Sequence, residues 1–260
     1  MDKHVYEDFE PERLVKSSQR VKDLAEVFTP GKIVDDMLDL LPNDIWQLHP
    51  SRTFLEPSVG NGNFVSAILS RKLTIVDEQL AKGLLPAGNS AESAKFHALE
   101  ALSSVYGVDI SEDNIIGGTP GHEIACRPRL LTILKRWHEK NFGSLGDAQD
   151  DFLKSAQWIV DHNLIIGNML EFDSSGQPTK RENIPIFEFE WNPMDFEVSI
   201  SRTSLGAILA SEEQNISGFS DLFAVQAPQV EWQGNPMRLH EAISHAVVAL
   251  SGTNETNSRG

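Results

Sequence analysis

The sequence predicts an α/β protein built on a doubly wound, mostly parallel sheet, and three observations carry that prediction. Helical and strand-like segments alternate over residues 25–170, the order that produces parallel strands joined by helices. A short strand-like run, Thr53-Phe54-Leu55, meets a glycine turn that opens an apolar-periodic helix through Phe64, Ile68 and Leu69. A second run, Val105-Tyr106-Gly107-Val108-Asp109-Ile110, reads as a buried strand ending in an acid. Acids at that point accept hydrogen bonds from ribose hydroxyls in nucleoside-binding α/β folds.

Taken in order, residues 1–24 form a charged, helical leader. Val27-Phe28-Thr29-Pro30 precedes an amphipathic helix from Ile33 to Leu41. The turn Glu56-Pro57-Ser58-Val59-Gly60-Asn61-Gly62-Asn63-Phe64 follows the first strand. Gly60 and Gly62 are suited to positive φ and to close approach of a ligand, and the N–H groups opening the next helix favour an electron-rich group. A carboxylate at Glu56 would repel a pyrophosphate but suits a cationic or hydroxyl-rich ligand. No Lys-Ser/Thr pair closes the loop, which argues against a nucleotide triphosphatase.

Gly62 and Asp109 stand 47 positions apart, against ~20 in simple dinucleotide folds. Arg71-Lys72-Leu73 onward, a loop from Gly83 to Ser93 and a helix from Ala94 to Ser104 fill the excess. Such an insertion between the first and second strands is tolerable if it stays on the surface. Gly117-Gly118-Thr119-Pro120-Gly121 then breaks the chain before a basic segment. Leu164-Ile165-Ile166-Gly167-Asn168-Met169-Leu170 supplies a third strand and its loop, and residues 171–183 form an exposed loop. Beyond lie one strand, Ile186 to Trp191, a helix from Thr203 to Glu213, a turn-rich stretch to Pro236 and a helix from Met237 to Leu250. Ser251 to Gly260 is polar and expected to be disordered. The expected division is therefore a leader (1–24), one domain (25–250) and a tail (251–260).

Phe28-Thr29-Pro30, then Glu56 to Phe64, then Asp109 together resemble the N6-adenine DNA methyltransferases of restriction–modification systems, over roughly residues 24–170. The order matches members whose FTP-type motif precedes the cofactor loop. The resemblance implies a Rossmann-like class I methyltransferase fold, here with a reduced C-terminal half, and S-adenosylmethionine as cofactor. It implies that Phe28, Thr29 and Pro30 border the cofactor's amino-acid end. Glu56, Pro57, Gly60 and Gly62 would line its methionine and ribose portion, Asp109 with Ile110 the ribose, and Asn168 the adenine side, where family members often carry an acid. A helix cap is the plainer role for Asp109.

The family's catalytic tetrad, Asp/Asn-Pro-Pro-Tyr/Phe, stands at the end of the fourth strand, where it meets a base flipped out of the duplex. That tetrad is absent. Asn192-Pro193-Met194-Asp195-Phe196, after the strand-like Ile186–Trp191, comes nearest: Asn192 and Pro193 fit the first two positions and Phe196 the stacking ring. An Asn-Pro turn after a strand is an equal alternative. Asn235-Pro236 shows that the dipeptide recurs without a site.

Charge bounds the partners. The formal net charge is −16, whereas a DNA-binding surface gathers Lys and Arg. Residues 141–260 hold 17 acids against 6 bases. Arg127, Arg129, Lys135, Arg136 and Lys140, with Trp137 among them, are the local candidate for phosphate contact. The other reading of that segment is a helix face with Ile133, Leu134 and Trp137 buried. Action on DNA would need this patch or a basic partner subunit. One cysteine, Cys126, excludes an internal disulfide and fits a reducing, cytoplasmic setting. The histidines have no cysteine partners at zinc-ligand spacing, and no run reaches the ~18 apolar residues of a membrane span. Three readings follow: an adenine-specific DNA methyltransferase, a cofactor-binding subunit or degenerate paralogue working through another chain, and a non-catalytic acidic protein that binds a basic partner.

Overall fold

The computed structural model describes residues 15–24, 26–118, 125–144, 150–216 and 228–256. The chain is α/β and divides into two compact units, residues 1–166 with Pro193–Asp195, and Gly167–Asn192 with Phe196–Gly260.

In the first unit, β1 (Phe54–Glu56), β2 (Val105–Asp109) and β3 (Leu164–Ile166) form a parallel sheet in that order. Phe54 pairs with Val105, Glu56 with Gly107, and Asp109 with Ile166. Parallel neighbours need long crossovers, and helices provide them. Before β1 come α1 (Ser18–Leu24) and α2 (Gly31–Leu38). Between β1 and β2 run α3 (Asn63–Lys82) and α4 (Ala91–Ser103). Between β2 and β3 run α5 (Glu112–Ile115), α6 (Cys126–Phe142) and α7 (Asp151–Asn163).

The helix ends follow local chemistry. Gly83, in the left-handed region, ends α3 and returns its N–H to the carbonyls of Gln79 and Leu80. Ser90 caps α4 by accepting the Ser93 N–H, and Asp150 caps α7 by accepting the Phe152 N–H.

The insertion between β1 and β2 does not stay on the surface, because α4 is enclosed. From Ser93 to Ser103 every residue except Lys95 is buried. The helix packs on α3, α6, α7 and β2. Its buried face includes polar groups, Ser93, His97, Glu100 and Ser103, beside Phe96, Leu99 and Leu102, and His97 and Glu100 pair with each other. The loop before it, with Leu84 and Gly88 to Ser90, is exposed, as are Ala91 and Glu92 at the start of the helix. The core beside the sheet is filled by Leu69 and Leu73 from α3, Leu102 from α4, Ile133, Leu134 and Trp137 from α6, and Ile159 from α7. Trp137 keeps its indole N–H satisfied by donating to Asp77 Oδ1 at 2.8 Å. Burying an aromatic ring of this size removes roughly 150–250 Å² from water, worth several kcal/mol at about 25 cal/mol per Å².

A polar knot lies at the opposite, amino-terminal edge of the sheet. Lys72 of α3 is buried and donates to Ser51 Oγ (2.7 Å), Arg52 O (2.6 Å) and Ser104 Oγ (2.6 Å). Glu100 of α4, also buried, pairs with His49 Nδ1 at 2.6 Å and His97 Nδ1 at 2.9 Å. Burial pushes the Lys72 ammonium down to about 7, against a smaller opposing pull from Glu100.

The second unit carries an antiparallel sheet of β4 (Pro185–Asn192), β5 (Glu197–Ser204) and β6 (Trp232–Gln233), with α8 (Leu205–Ile216) and α9 (Leu239–Thr256). Three strands therefore stand where one was expected. β5 escaped notice because Glu197-Val198-Ser199-Ile200-Ser201-Arg202-Thr203-Ser204 is polar at alternate positions, a half-buried pattern legible only with its partner. Phe187, Phe189 and Trp191 share one face of β4 with Arg202, Ile200 and Val198 of β5 opposite them. α9 packs on β5, burying Leu239, Ala242 and Ala246, and runs past the expected end at Leu250. Gly206 lets α8 approach Glu182 closely: a Cβ there would lie 2.8 Å from Glu182 Cβ.

Of the expected leader, Ser18–Leu24 is helical. Residues 1–14, Thr119-Pro120-Gly121 and the last four residues lie outside the described residues. No helix among the described residues is long and apolar enough to cross a membrane.

Candidate cofactor site

β1 and β2 place Glu56 and Asp109 at their carboxyl ends, the edge where open parallel sheets bind ligands. The chain after β1 folds back onto β2, with the Val59 N–H donating to Val108 O at 3.0 Å. Gly107 makes that approach feasible, because a Cβ there would sit 2.8 Å from Val59 Cγ2. Gly60 (φ 54°) and Gly62 (φ 91°) both adopt the left-handed region. Their crowding comes from the protein: a Cβ on Gly60 would meet the Phe28 ring at 3.1 Å, and one on Gly62 the Cys126 Sγ at 2.8 Å. The glycines thus close the turn against its own supports.

Asp109 is buried and used by the fold. Its Oδ2 accepts the Gly60 N–H at 2.8 Å, and its Oδ1 accepts the Ser111 N–H at 2.8 Å and Asn114 Nδ2 at 3.1 Å. An ionised carboxylate offers about four lone-pair positions, so one on Oδ2 is left for a ligand hydroxyl among the described residues. Asp109 therefore accepts the Ser111 N–H two residues on, an Asx turn rather than a cap, since Ser111 is the N-cap of α5, and it ties the glycine turn to β2.

The Phe28-Thr29-Pro30 segment joins the same mouth. Phe28 is buried, and Thr29 O accepts Asn63 Nδ2 at 2.7 Å. Asn63 Oδ1 in turn accepts from Arg129 of α6, and Pro30 opens α2. Three motifs separated by up to 80 positions, Thr29 to Asp109, are bonded into one surface. Asn63, Gly107, Asn114 and Arg129 organise it, and the sequence reading did not single them out for that role. The repeated asparagines around Gly62 and after Asp109 were the available signal.

Glu56 is half-buried, and desolvation raises its carboxyl above the ordinary value, against the Ser58 N–H at 3.4 Å. A carboxylate held short of water gains from a cation nearby. Pro57 is exposed. Ile110, directly after β2, is 61% exposed, and Ile166 at the end of β3 is 42% exposed. The edge thus combines acidic acceptors with bare aliphatic surface.

Other expected residues fall in different settings. Asn168 belongs to the second unit, and its Oδ1 accepts the Leu170 N–H at 3.0 Å, an Asx turn. Asn192 ends β4 paired with Glu197, and Pro193-Met194-Asp195-Phe196 is the hairpin turn between β4 and β5. The strand before it belongs to the antiparallel sheet, so this tetrad-like sequence does not follow a strand of the parallel one. Phe196 holds a positive φ of 54°, with the Arg238 guanidinium over its ring at 5.6 Å.

The basic segment is partly consumed internally. Arg127 pairs with Asp161 (3.0 Å) and donates to Leu164 O, Arg129 is buried on Asn63, and Lys140 pairs with Asp77 at 2.9 Å. Lys135 is exposed and Arg136 partly so. Ile133, Leu134 and Trp137 are fully buried, as the helix-face reading expected. Cys126 is buried and its thiol pushed up to about 12 by desolvation, which removes it as a nucleophile at neutral pH. No metal-binding cluster of His, Cys, Asp and Glu occurs among the described residues. Comparison of the chain with known protein families, with curated proteins and with solved structures finds no match.

Proposed function

We propose that the chain is an S-adenosylmethionine-dependent DNA methyltransferase of Rossmann-like type, acting on the N6 amine of adenine. The observation that carries this reading is the bonding of Thr29 to Asn63 and of Gly60 to Asp109, which joins the three motifs at the carboxyl ends of β1 and β2. The donor set fits the cofactor. Glu56, raised by burial, suits the cationic sulfonium or ammonium; the remaining Oδ2 position of Asp109 suits a ribose hydroxyl; exposed Ile110 suits the adenine face. When bound, the cofactor supplies an electrophilic methyl group. Thr29 and Pro30 would hold its amino-acid end, and the glycine turn at Gly60 and Gly62 would border it. Asn192, with Pro193 and Phe196, is proposed to receive the acceptor amine.

The second reading, a cofactor-binding subunit that acts through another chain, is favoured by the hairpin setting of Asn192–Phe196 and by the net charge of −16. A basic partner subunit would then bring the DNA contacts.

Calorimetric titration of folded protein with S-adenosylmethionine tests the shared part. Binding at micromolar ligand that weakens about tenfold or more in Asp109→Ala supports it, since charge-assisted hydrogen bonds are worth on the order of 1.5–3 kcal/mol. Absence of binding at high micromolar ligand sinks both readings. Methyl transfer to adenine-containing DNA by the chain alone, lost in Asn192→Ala, selects the first. Binding without transfer selects the second.

A further inference from the structure

We infer that Asn114 is a positioning residue that couples the amino-terminal helix α1 to Asp109, so that a ligand held at the sheet edge also clamps the leader. The inference rests on the cofactor reading above and names a regulation of that site.

Asn114 is 1% exposed and its amide is fully engaged. Its Nδ2 donates to Asp109 Oδ1 and to Glu26 Oε2, each at 3.1 Å. Its Oδ1 accepts from Lys16 Nζ. With both N–H groups and the carbonyl committed, the amide has one orientation, and that orientation links Asp109 to the leader.

The leader side is equally determined. Lys16 Nζ also donates to Asp113 Oδ2 at 2.8 Å and lies 6.0 Å from the Phe28 ring centroid. Arg20 bridges Asp113 (3.0 Å) and Glu26 (2.8 Å). The segment around α1 therefore touches two of the three motifs, Phe28 directly and Asp109 through Asn114. Lys16 and Asp113 meet across 97 positions, and neither lies in a strand of the sheet. Their pairing brings the start of the chain against the groups that set the Asp109 carboxylate.

Coupling of this kind is reciprocal: if the docked leader favours ligand binding, bound ligand favours the docked leader by the same factor. A ligand hydroxyl on Oδ2 fixes the carboxylate whose other oxygen Asn114 holds, which steadies the chain from Asn114 to Lys16.

The test is hydrogen exchange of the full chain with and without S-adenosylhomocysteine, paired with calorimetry. Several-fold slower exchange of the α1 amides on ligand addition is the expected result. Lys16→Met, which leaves Asn114 on Asp109, should weaken the ligand about three- to tenfold and abolish the slowing. Asn114→Ala should still bind, more weakly, with α1 exchange indifferent to ligand; a purely structural role would not remove that dependence. Ligand binding to the wild-type chain without change in α1 exchange overturns the inference and leaves the cofactor reading standing, as does wild-type affinity in Lys16→Met. No ligand binding to the folded wild type overturns both.

Discussion

Replacing Lys72 by methionine should change how stability depends on pH, in a direction and window fixed by the burial of its ammonium. The unfolded side chain titrates near 10.5 and the folded one near 7. A lowered folded value means that the unfolded chain binds more protons between those limits, so stability rises with pH across them. Below pH 7 both states carry the proton and the group adds no slope. The full span, three and a half units at about 1.36 kcal/mol each, is on the order of 5 kcal/mol. Between pH 7 and 9 the wild type should gain about 2–3 kcal/mol relative to Lys72→Met. Methionine keeps an unbranched chain one atom shorter, but leaves the Arg52 carbonyl and the Ser51 and Ser104 hydroxyls without the Lys72 donor. That loss, about 1–3 kcal/mol, is independent of pH. Urea unfolding of both proteins at pH 6, 7, 8 and 9 separates the two effects, because other titrations cancel in the difference. A difference that stays flat within about 0.5 kcal/mol from pH 7 to 9 would refute the assignment of a buried, easily deprotonated ammonium.

Gly62→Ala should destabilise the chain by roughly 2–4 kcal/mol, since it combines a left-handed backbone with a Cβ 2.8 Å from Cys126 Sγ; urea melts check this, and Gly62→Ala with Cys126→Ala should recover part of the loss. Glu26 and Asp113 lie below their ordinary values: burial alone would raise each, but Arg20 and Asn114 on Glu26, and Lys16 and Arg20 on Asp113, outweigh it. Depressed carboxyls stabilise above their unfolded values and lose that contribution as pH falls through the folded ones. The attachment of α1 should therefore be intact at pH 6 and released as pH falls below the ordinary carboxylate range, earlier than the core unfolds. Proteolysis of the leader against near-ultraviolet dichroism of the buried Trp137 measures the two separately, and coincident loss would count against a distinct leader. Asp109→Ala should lower stability by about 2–4 kcal/mol even without ligand, because Gly60 and Ser111 lose charge-assisted acceptors; an unchanged urea midpoint would show that the turn stands without it.

By itself the sequence determined the local parts of the parallel unit. Periodicity and turn chemistry are short-range, so Phe54–Glu56, Val105–Asp109 and the helix that Gly62 opens were legible from neighbouring residues, as was the burial of Ile133, Leu134 and Trp137. The α1–Asn114–Asp109 wiring was not, because Lys16 and Asp113 meet across 97 positions and nothing near either one announces the other. Nor was the enclosure of α4, which depends on α3, α6 and α7 closing around it. β5 needed β4 beside it before its alternation acquired an inside and an outside. Arg127 and Arg129 read as surface charge along the chain, yet tertiary structure turned them inward, since a carboxylate or carbonyl from a distant segment can replace water around a guanidinium. Pairing across long sequence separation is set by the folded arrangement of whole elements, and that is the part a linear reading could not supply.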